Sequence, residues 1–342
     1  MFEITTTDLN DILLMIYGRY ALHFPPSRLV AVEKQVRERS AFLGLASCSD
    51  YLARIRTDPE ELNSLVDGLT TKETYFFRLE QHFEALTQSI MPAIEERLTE
   101  DLNRNLVSTI GRAIHKPCLE IWSAACSTGE EAYSIGMAAL EGLKYRRAWD
   151  LRILATDISL DALRTAAAGR YEAKEANKVP TTYRDKYMRP EKGNFVVLPE
   201  LAEKLRFRLF NLATLWTCPD WLGTFAIPDG GEERIPLRER FQAIFCRNLL
   251  IYFDFDAQQR LIERLFGCLK PGGYLFTGDA EPLHVYSHSY RLLEIEGCFV
   301  YQKPTEMTSA DGEQTLRSTE PRAANKDPRR DGSGMHDFRA VD

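Results

Sequence analysis

The chain has 342 residues, 44% of them hydrophobic and 27% charged, with a net charge of −7; this is the composition of a globular protein with room for a full α/β domain and a smaller companion. It excludes a large nucleic-acid footprint, which needs a basic face, and no apolar run approaches the roughly 20 residues that span a bilayer. The start Met1-Phe2-Glu3-Ile4-Thr5 lacks the basic flank and apolar stretch of a signal peptide, so no membrane insertion and a cytoplasmic location are expected. Seven scattered cysteines without a close pair suggest reduced, mostly buried thiols, with no zinc site and no disulfide framework.

Residues 1–71 read as a helical N-terminal domain. Thr6 or Thr7 can cap a helix whose apolar positions Leu9, Ile12, Leu13, Ile16 and Tyr20 recur at the spacing of one buried face. Pro25-Pro26-Ser27 stops that helix and caps a second, with Leu29, Val32 and Val36 inward. The second helix carries Arg28, Lys34, Arg37 and Arg39 against only Glu33 and Glu38, a face that either docks an acidic helical partner or meets solvent. Asp58-Pro59-Glu60-Glu61 is another helix start, with a capping carboxylate, proline in the first turn and acids at the positive end of the dipole. Leu62, Leu65, Val66 and Leu69 form its apolar stripe.

Residues 72–117 follow as a linker with leading helices. From 118 to 303, short β-rich apolar runs alternate with helical stretches, which predicts a parallel sheet flanked by helices. The strands fall at Leu119–Ser123, Leu151–Thr156, Leu205–Phe210, Ala243–Cys246 and Tyr274–Thr277. Lys270-Pro271-Gly272-Gly273 reads as a helix stop and a turn before the last of these. Arg291–Ile295 and Phe299–Lys303, separated by Glu296-Gly297-Cys298, predict a closing hairpin. The stretch 304–342 is polar and charged with hardly any large apolar side chain, and is expected to be a disordered tail.

The chemistry gathers at the predicted strand ends. Ala124-Ala125-Cys126-Ser127-Thr128-Gly129 between a strand and a helix start is a loop of small side chains through which a ligand can approach the backbone. The phosphate-cradling G-x-G-x-x-G and the P-loop lysine are both missing, which disfavours a dinucleotide or nucleoside triphosphate. Glu130 and Glu131 would repel a pyrophosphate. They either complement the helix dipole or favour a cationic ligand, such as the ammonium or sulfonium of S-adenosylmethionine. Asp157, after the second strand, can accept both hydroxyls of a ribose or cap the next helix, a task open to Ser159 as well. Asn211-Leu212 and Arg247-Asn248 close further strands, so polar side chains converge on the carboxyl edge of the sheet, where ligands sit in open α/β folds. His82, His115, His284 and His288 are unclustered and read as surface or packing residues.

These pieces in this order resemble the CheR family of chemotaxis receptor methyltransferases over roughly residues 8–303. The motifs are Leu69-Thr70-Thr71-Lys72-Glu73-Thr74-Tyr75-Phe76-Phe77-Arg78, then Trp122-Ser123-Ala124-Ala125-Cys126-Ser127-Thr128-Gly129-Glu130-Glu131-Ala132-Tyr133-Ser134, then Ala155-Thr156-Asp157-Ile158. The last is Ile244-Phe245-Cys246-Arg247-Asn248-Leu249-Leu250-Ile251-Tyr252-Phe253. The resemblance implies an α/β class I (Rossmann-like) methyltransferase domain whose seven-stranded sheet ends in an antiparallel hairpin. It also implies an all-helical N-terminal domain and a small β-subdomain inserted near 169–205, where Tyr183–Met188 reads helical and Phe195-Val196-Val197-Leu198 reads as a short strand. It implies S-adenosyl-L-methionine as cofactor, with Thr74, Arg78, Glu130 or Glu131, Asp157, Asn211, Leu212, Arg247 and Asn248 around it. Tyr252 would stand beside the methyl group. The family usually has Asn where this chain has Lys72, and the stretch Thr217–Arg240, with Pro228-Asp229-Gly230-Gly231, reads as an enlarged exposed loop.

The reaction so implied is methyl-ester formation on glutamates of a methyl-accepting chemotaxis receptor's cytoplasmic domain, an acidic helical substrate, by a protein expected to act as a monomer. A glutamate with a reference pKa near about 4.3 is already an anion at neutral pH, so an in-line displacement at a sulfonium needs no general base. Arg78 and Arg247 are the candidates to align that carboxylate, unless one of them contacts the cofactor or either is a plain surface ion pair. The other readings are a methyltransferase for another protein or a small carboxylate, and a non-catalytic regulator that binds S-adenosylmethionine.

Overall fold

The computed structural model describes residues 2–70, 73–109, 116–218, 220–281, 283 and 289–305. Lys72, His115, His284, His288 and the stretch from 306 onward lie outside them. Among the described residues no helix is long and apolar enough to cross a membrane.

Helices α1 (Thr6–Tyr20), α2 (Leu29–Phe42), α3 (Cys48–Thr57) and α4 (Pro59–Leu69) make the N-terminal unit. The cap of α1 is Thr5, one residue before the expected position: its hydroxyl accepts from the Asp8 N–H while the Asp8 carboxylate accepts from the Thr5 N–H. That reciprocal pair satisfies two free donors, which a cap at Thr6 or Thr7 could not do with Asp8. Ser27 caps nothing; a 3-10 turn, Pro26–Arg28, leads into α2. Asp58 does cap α4, accepting from the N–H groups of Glu60 and Glu61. Leu9, Ile12, Ile16, Val32, Val36, Leu62, Leu65 and Val66 are buried together. Within this core Arg39 on α2 makes a two-pronged pair with the buried carboxylate of Glu61 on α4, to which Tyr51 also donates. Arg39 is therefore a clasp between helices and not part of a docking face. Arg37 and Lys34 stay exposed, paired along the helix with Glu33 and Glu38.

The chain then runs through α5 (Glu80–Ala85), a π-turn Leu86–Ile90 and α6 (Met91–Thr109) into the sheet. The strands are β1 (Cys118–Ser123), β2 (Asp150–Asp157), β3 (Arg170–Glu172), β4 (Met188–Glu191), β5 (Asn194–Val197) and β6 (Leu205–Leu209). They continue with β7 (Leu222–Ala226), β8 (Glu232–Pro236), β9 (Phe241–Phe245), β10 (Leu269–Phe276), β11 (Arg291–Ile295) and β12 (Cys298–Gln302). The remaining helices are α7 (Glu130–Gly142), α8 (Leu160–Ala168), α9 (Ala173–Ala176), α10 (Thr181–Tyr187), α11 (Pro199–Ala202) and α12 (Phe255–Cys268).

The main sheet has nine strands in the order β11-β12-β10-β9-β1-β2-β6-β7-β8, not seven. The parallel centre β10-β9-β1-β2-β6 and the antiparallel β11-β12 closure are as expected. The two added strands come from the stretch read as a loop. β7 and β8 form a hairpin that extends β6 antiparallel, closed by Ile227–Gly231. Phe225 and Ile235 are buried, and Phe225 stacks on Phe210 at 4.2 Å between centroids. Half-buried alternation next to a Pro-Asp-Gly-Gly turn is a hairpin signal that the turn residues masked. The closing hairpin turns on two residues, Glu296 and Gly297, at φ 48° and 73°, with Cys298 already paired to Ile295. Lys270–Gly273 forms an irregularity inside β10, where the register shifts between Leu269 and Tyr274, and not a turn before it. After α8, the antiparallel sheet β3-β5-β4 and helices α9 and α10 form the inserted unit.

Candidate functional site

β9, β1 and β2 run parallel and side by side, so Phe245, Ser123 and Ala155 are in register and the chain leaves all three strands at one edge. A cleft partly open to solvent lies beyond that edge. It is walled by Glu73, Thr74, Tyr75 and Arg78 of the linker, by Ala124, Ala125, Ser127 and Glu131, and by Asp157. Further along are Asn211 and Leu212, Arg247 and Asn248, and Tyr252. Every sequence-predicted site residue lines it except Glu130.

The small-residue loop is held rigidly. Ala124 N–H donates to the Phe245 carbonyl, Cys126 N–H to that of Thr156, and Ser127 N–H to Asp157 Oδ2 at 2.8 Å. Gly129 is required twice over. Its φ is +98°, and a Cβ there would stand 2.7 Å from Ala166 Cβ and 2.8 Å from the Tyr171 hydroxyl. Tyr171, from the inserted unit, donates to the Thr128 carbonyl, so the insert buttresses this loop.

Gly129 starts α7, and the first two residues of that helix part company. Glu131 turns toward the cleft, where the Ser123 hydroxyl donates to it at 2.7 Å and Arg247 Nη1 lies 3.6 Å away. Burial pushes its carboxyl above the ordinary range, and the Arg247 guanidinium opposes that shift. Glu130 is buried on another side, its carboxylate taking the Thr128 hydroxyl at 2.7 Å. The alternative between the two acids is thus resolved in favour of Glu131 as the one at the cleft; adjacent helical positions point about 100° apart.

Asp157 accepts with both oxygens, from Ser127 N–H and from Ser159 N–H at 2.9 Å. Ser159, not Asp157, caps α8, accepting from Ala162 N–H. Burial raises its carboxyl while the backbone donors of Ser159, Ser127 and Ile158 lower it. Asn211 departs from expectation: its amide donates to the Arg19 carbonyl at the end of α1 and its carbonyl accepts from Ala213 N–H. It walls the cleft while tying the helical unit to the sheet. Leu212 and Tyr252 are buried wall residues, and the Arg28 guanidinium lies 5.5 Å over the Tyr252 ring.

Arg247 is 5% exposed and rests over the Phe83 ring at 5.4 Å. Its Nη2 donates to the Arg78 carbonyl, while Nε and Nη1 are buried without a hydrogen-bond partner. Ser127 Oγ is in the same condition. Buried donors left unmade cost free energy, and a cleft lined by them fits a ligand that supplies acceptors. Arg78 donates from Nη1 to the Glu73 carbonyl and leans over Tyr75, which also carries Lys178 of the insert 4.7 Å above its ring. Carboxylates suited to an ammonium group and hydroxyls, beside unmet donors suited to a carboxylate, match the zwitterionic nucleoside S-adenosylmethionine.

Several wall residues were not foreseen. Tyr20 and Leu22 of the helical unit line the cleft, brought there by a bridge between Leu22 and Phe253 and by His23 N–H donating to the Tyr252 carbonyl. Nothing local in Ala21-Leu22-His23 signals this. Glu281, after β10 and not itself a wall residue, accepts from the N–H groups of Asn248, Leu250 and Gly278; an acid a few residues past a strand end was the available signal. His82 is a packing residue, 3% exposed and tilted against Phe276. Among the described residues no group of three or more His, Cys, Asp or Glu is placed to hold a metal ion.

Residues 7–70 match the model of the CheR methyltransferase all-alpha domain, and residues 72–226 and 231–298 that of the CheR methyltransferase SAM binding domain. The residues passed over between the two matched stretches, 227–230, are the turn of the β7-β8 hairpin. The chain is 31% identical over 307 residues to chemotaxis protein methyltransferase 1 of Pseudomonas aeruginosa, covering 88% of this chain and 97% of that one. It is 30% identical over 306 residues to chemotaxis protein methyltransferase 2 of the same organism, covering 88% and 94%. With the chemotaxis protein methyltransferase of Borreliella burgdorferi the identity is 27% over 285 residues, covering 82% and 90%.

Proposed function

The chain belongs to the CheR methyltransferase family, a SAM-dependent methyltransferase by that membership, and from this premise we propose that it methylates glutamate side chains of chemotaxis receptors, giving methyl esters. The observation that carries the reading is the cleft itself: Glu131, Asp157, Ser127, Arg78 and Arg247 converge there from separate elements. Arg247 brings a buried Nε and Nη1 that have no hydrogen-bond partner among the described residues.

In this reading Asp157 holds ribose hydroxyls, Glu131 faces the ammonium group, Arg247 faces the carboxylate of the cofactor, and Asn211 and Leu212 frame the base. Thr74 and Asn248 complete the wall. Bound S-adenosylmethionine supplies an electrophilic methyl group. The rest is positioning by the chain. The incoming glutamate is already ionised at neutral pH, so no side chain has to remove a proton. Arg78 directs the glutamate carboxylate toward the cleft while Arg247 offers its buried donors to the carboxylate of the cofactor, and Phe83, Leu212 and Tyr252 keep water away. A bidentate pairing would blunt the nucleophile, and Arg78, whose Nη1 is already engaged by the Glu73 carbonyl, offers a weaker field. Arg28, over Tyr252 at the cleft, and the exposed Arg37 and Lys34 on α2 are the cations offered to an acidic receptor helix in this reading.

The test is incorporation of labelled methyl from S-adenosylmethionine into receptor cytoplasmic fragments of the same cell. Base-labile label on glutamates is expected; cofactor binding without such label on any fragment would remove the reading.

A further inference from the structure

Glu281 lies behind the cleft wall and grips the segment that presents Arg247. It is 3% exposed, and its carboxylate is surrounded by backbone. Oε2 accepts from Asn248 N–H and Gly278 N–H and Oε1 from Leu250 N–H, each at 2.7 Å. These donors lie on both sides of Asn248, whose φ of +56° is a left-handed conformation that needs outside support. Gly278 makes the approach possible: a Cβ there would stand 2.7 Å from Glu281 Oε2 and 3.1 Å from Asn248 N. The residue immediately before this clamped turn is Arg247, whose buried Nε and Nη1 have no hydrogen-bond partner, with Nη1 3.6 Å from the Glu131 carboxylate.

We propose that Glu281 is a positioning residue of the cofactor site, acting through Arg247. Its carboxylate holds the turn at Asn248 so that the guanidinium is delivered to the cleft in one orientation, and it makes no contact with the cofactor itself. A carboxylate suits this task because one group takes three backbone donors at once, and charge-assisted bonds to N–H groups are the stronger kind. The proposal rests on the preceding reading only in placing S-adenosylmethionine in this cleft. A chain that binds the cofactor and methylates no receptor fragment would overturn that reading and leave this one standing.

The experiment is calorimetric titration of the full chain and its Glu281→Gln variant with S-adenosylmethionine. Glutamine keeps the volume, removes the charge and sets an amide N–H2 against at least one backbone N–H. Affinity should fall by about tenfold with the stoichiometry unchanged, the mark of a misdirected contact. A merely structural role would lower the fraction of competent sites and leave the affinity of the remainder alone. In the Arg247→Ala background the added Glu281→Gln change should weaken binding no further, since its route is already gone. Unchanged affinity, a loss confined to stoichiometry, or additive losses in the double variant each overturn the proposal. Should the glutamine variant fail to fold, Glu281→Asp carries the same test: it retains the charge but is one methylene short, and binding about threefold weaker is expected, against unchanged affinity.

Discussion

Asp157→Ala separates two tasks that one carboxylate performs. In the free protein Asp157 accepts from Ser127 N–H at 2.8 Å and from Ser159 N–H at 2.9 Å. Hydrogen bonds to a charged group contribute about 1.5–3 kcal/mol each, and removing a buried carboxylate returns part of that as relieved desolvation, so the free protein should lose about 2 kcal/mol of stability. Cofactor affinity should fall further by about 1–3 kcal/mol, roughly 5- to 150-fold, through the ribose hydroxyls that would otherwise donate to the same oxygens. Thermal unfolding of the free variant reads the first effect, and calorimetry with S-adenosylmethionine below the melting range reads the second. If the variant melts lower yet binds the cofactor with unchanged affinity, Asp157 is a tie for the loop alone and the ribose assignment is wrong.

Gly129→Ala should cost at least about 2 kcal/mol in denaturant unfolding, because the left-handed φ and the crowding by Ala166 and Tyr171 act together; a loss under about 0.5 kcal/mol would show that the loop yields. Arg39→Ala leaves the buried Glu61 carboxylate with Tyr51 alone, and about 3 kcal/mol of stability should go while cofactor affinity holds. Charge reversal of Lys34 and Arg37 should do the opposite, sparing stability and slowing transfer to receptor fragments; equal rates would return that face to solvent. Burial raises the Glu131 carboxyl above 4.5, so the folded chain keeps a proton that the unfolded chain has released. Its contribution to stability is therefore present at low pH and lost as pH rises through the folded value, whereas cofactor affinity should drop as pH falls into the same window above about 4.5. A titration series from neutral to about pH 5 that is flat, or that is as steep in Glu131→Gln, contradicts this. His82 runs the other way: burial holds it down to about 3, so it stays neutral and its contribution disappears as pH falls from 6.5 toward that value. His82→Phe should flatten the acid side of the stability curve.

The order of elements was legible in the chain because caps and periodicity are local. Asp58 closes α4 from two residues away, and Ile12, Ile16 and Val36 are buried at the spacing that their sequence shows. The four motifs likewise carried the cofactor and the edge of the sheet where it belongs, since strand ends collect polar residues whatever the packing. Three decisions needed the folded molecule. Glu130 and Glu131 are equal in sequence, and only the seating of α7 on the sheet turns one toward Ser123 and Arg247 and the other toward Thr128. Arg39 looked like its neighbours on α2 until the helices packed and placed Glu61 against it. Glu281 meets Asn248 across 33 residues of chain, an encounter set by where β10 ends relative to β9. Periodicity reports which face of an element is buried, but it carries no information on which element arrives there; that is decided when the sheet and its helices close around one another.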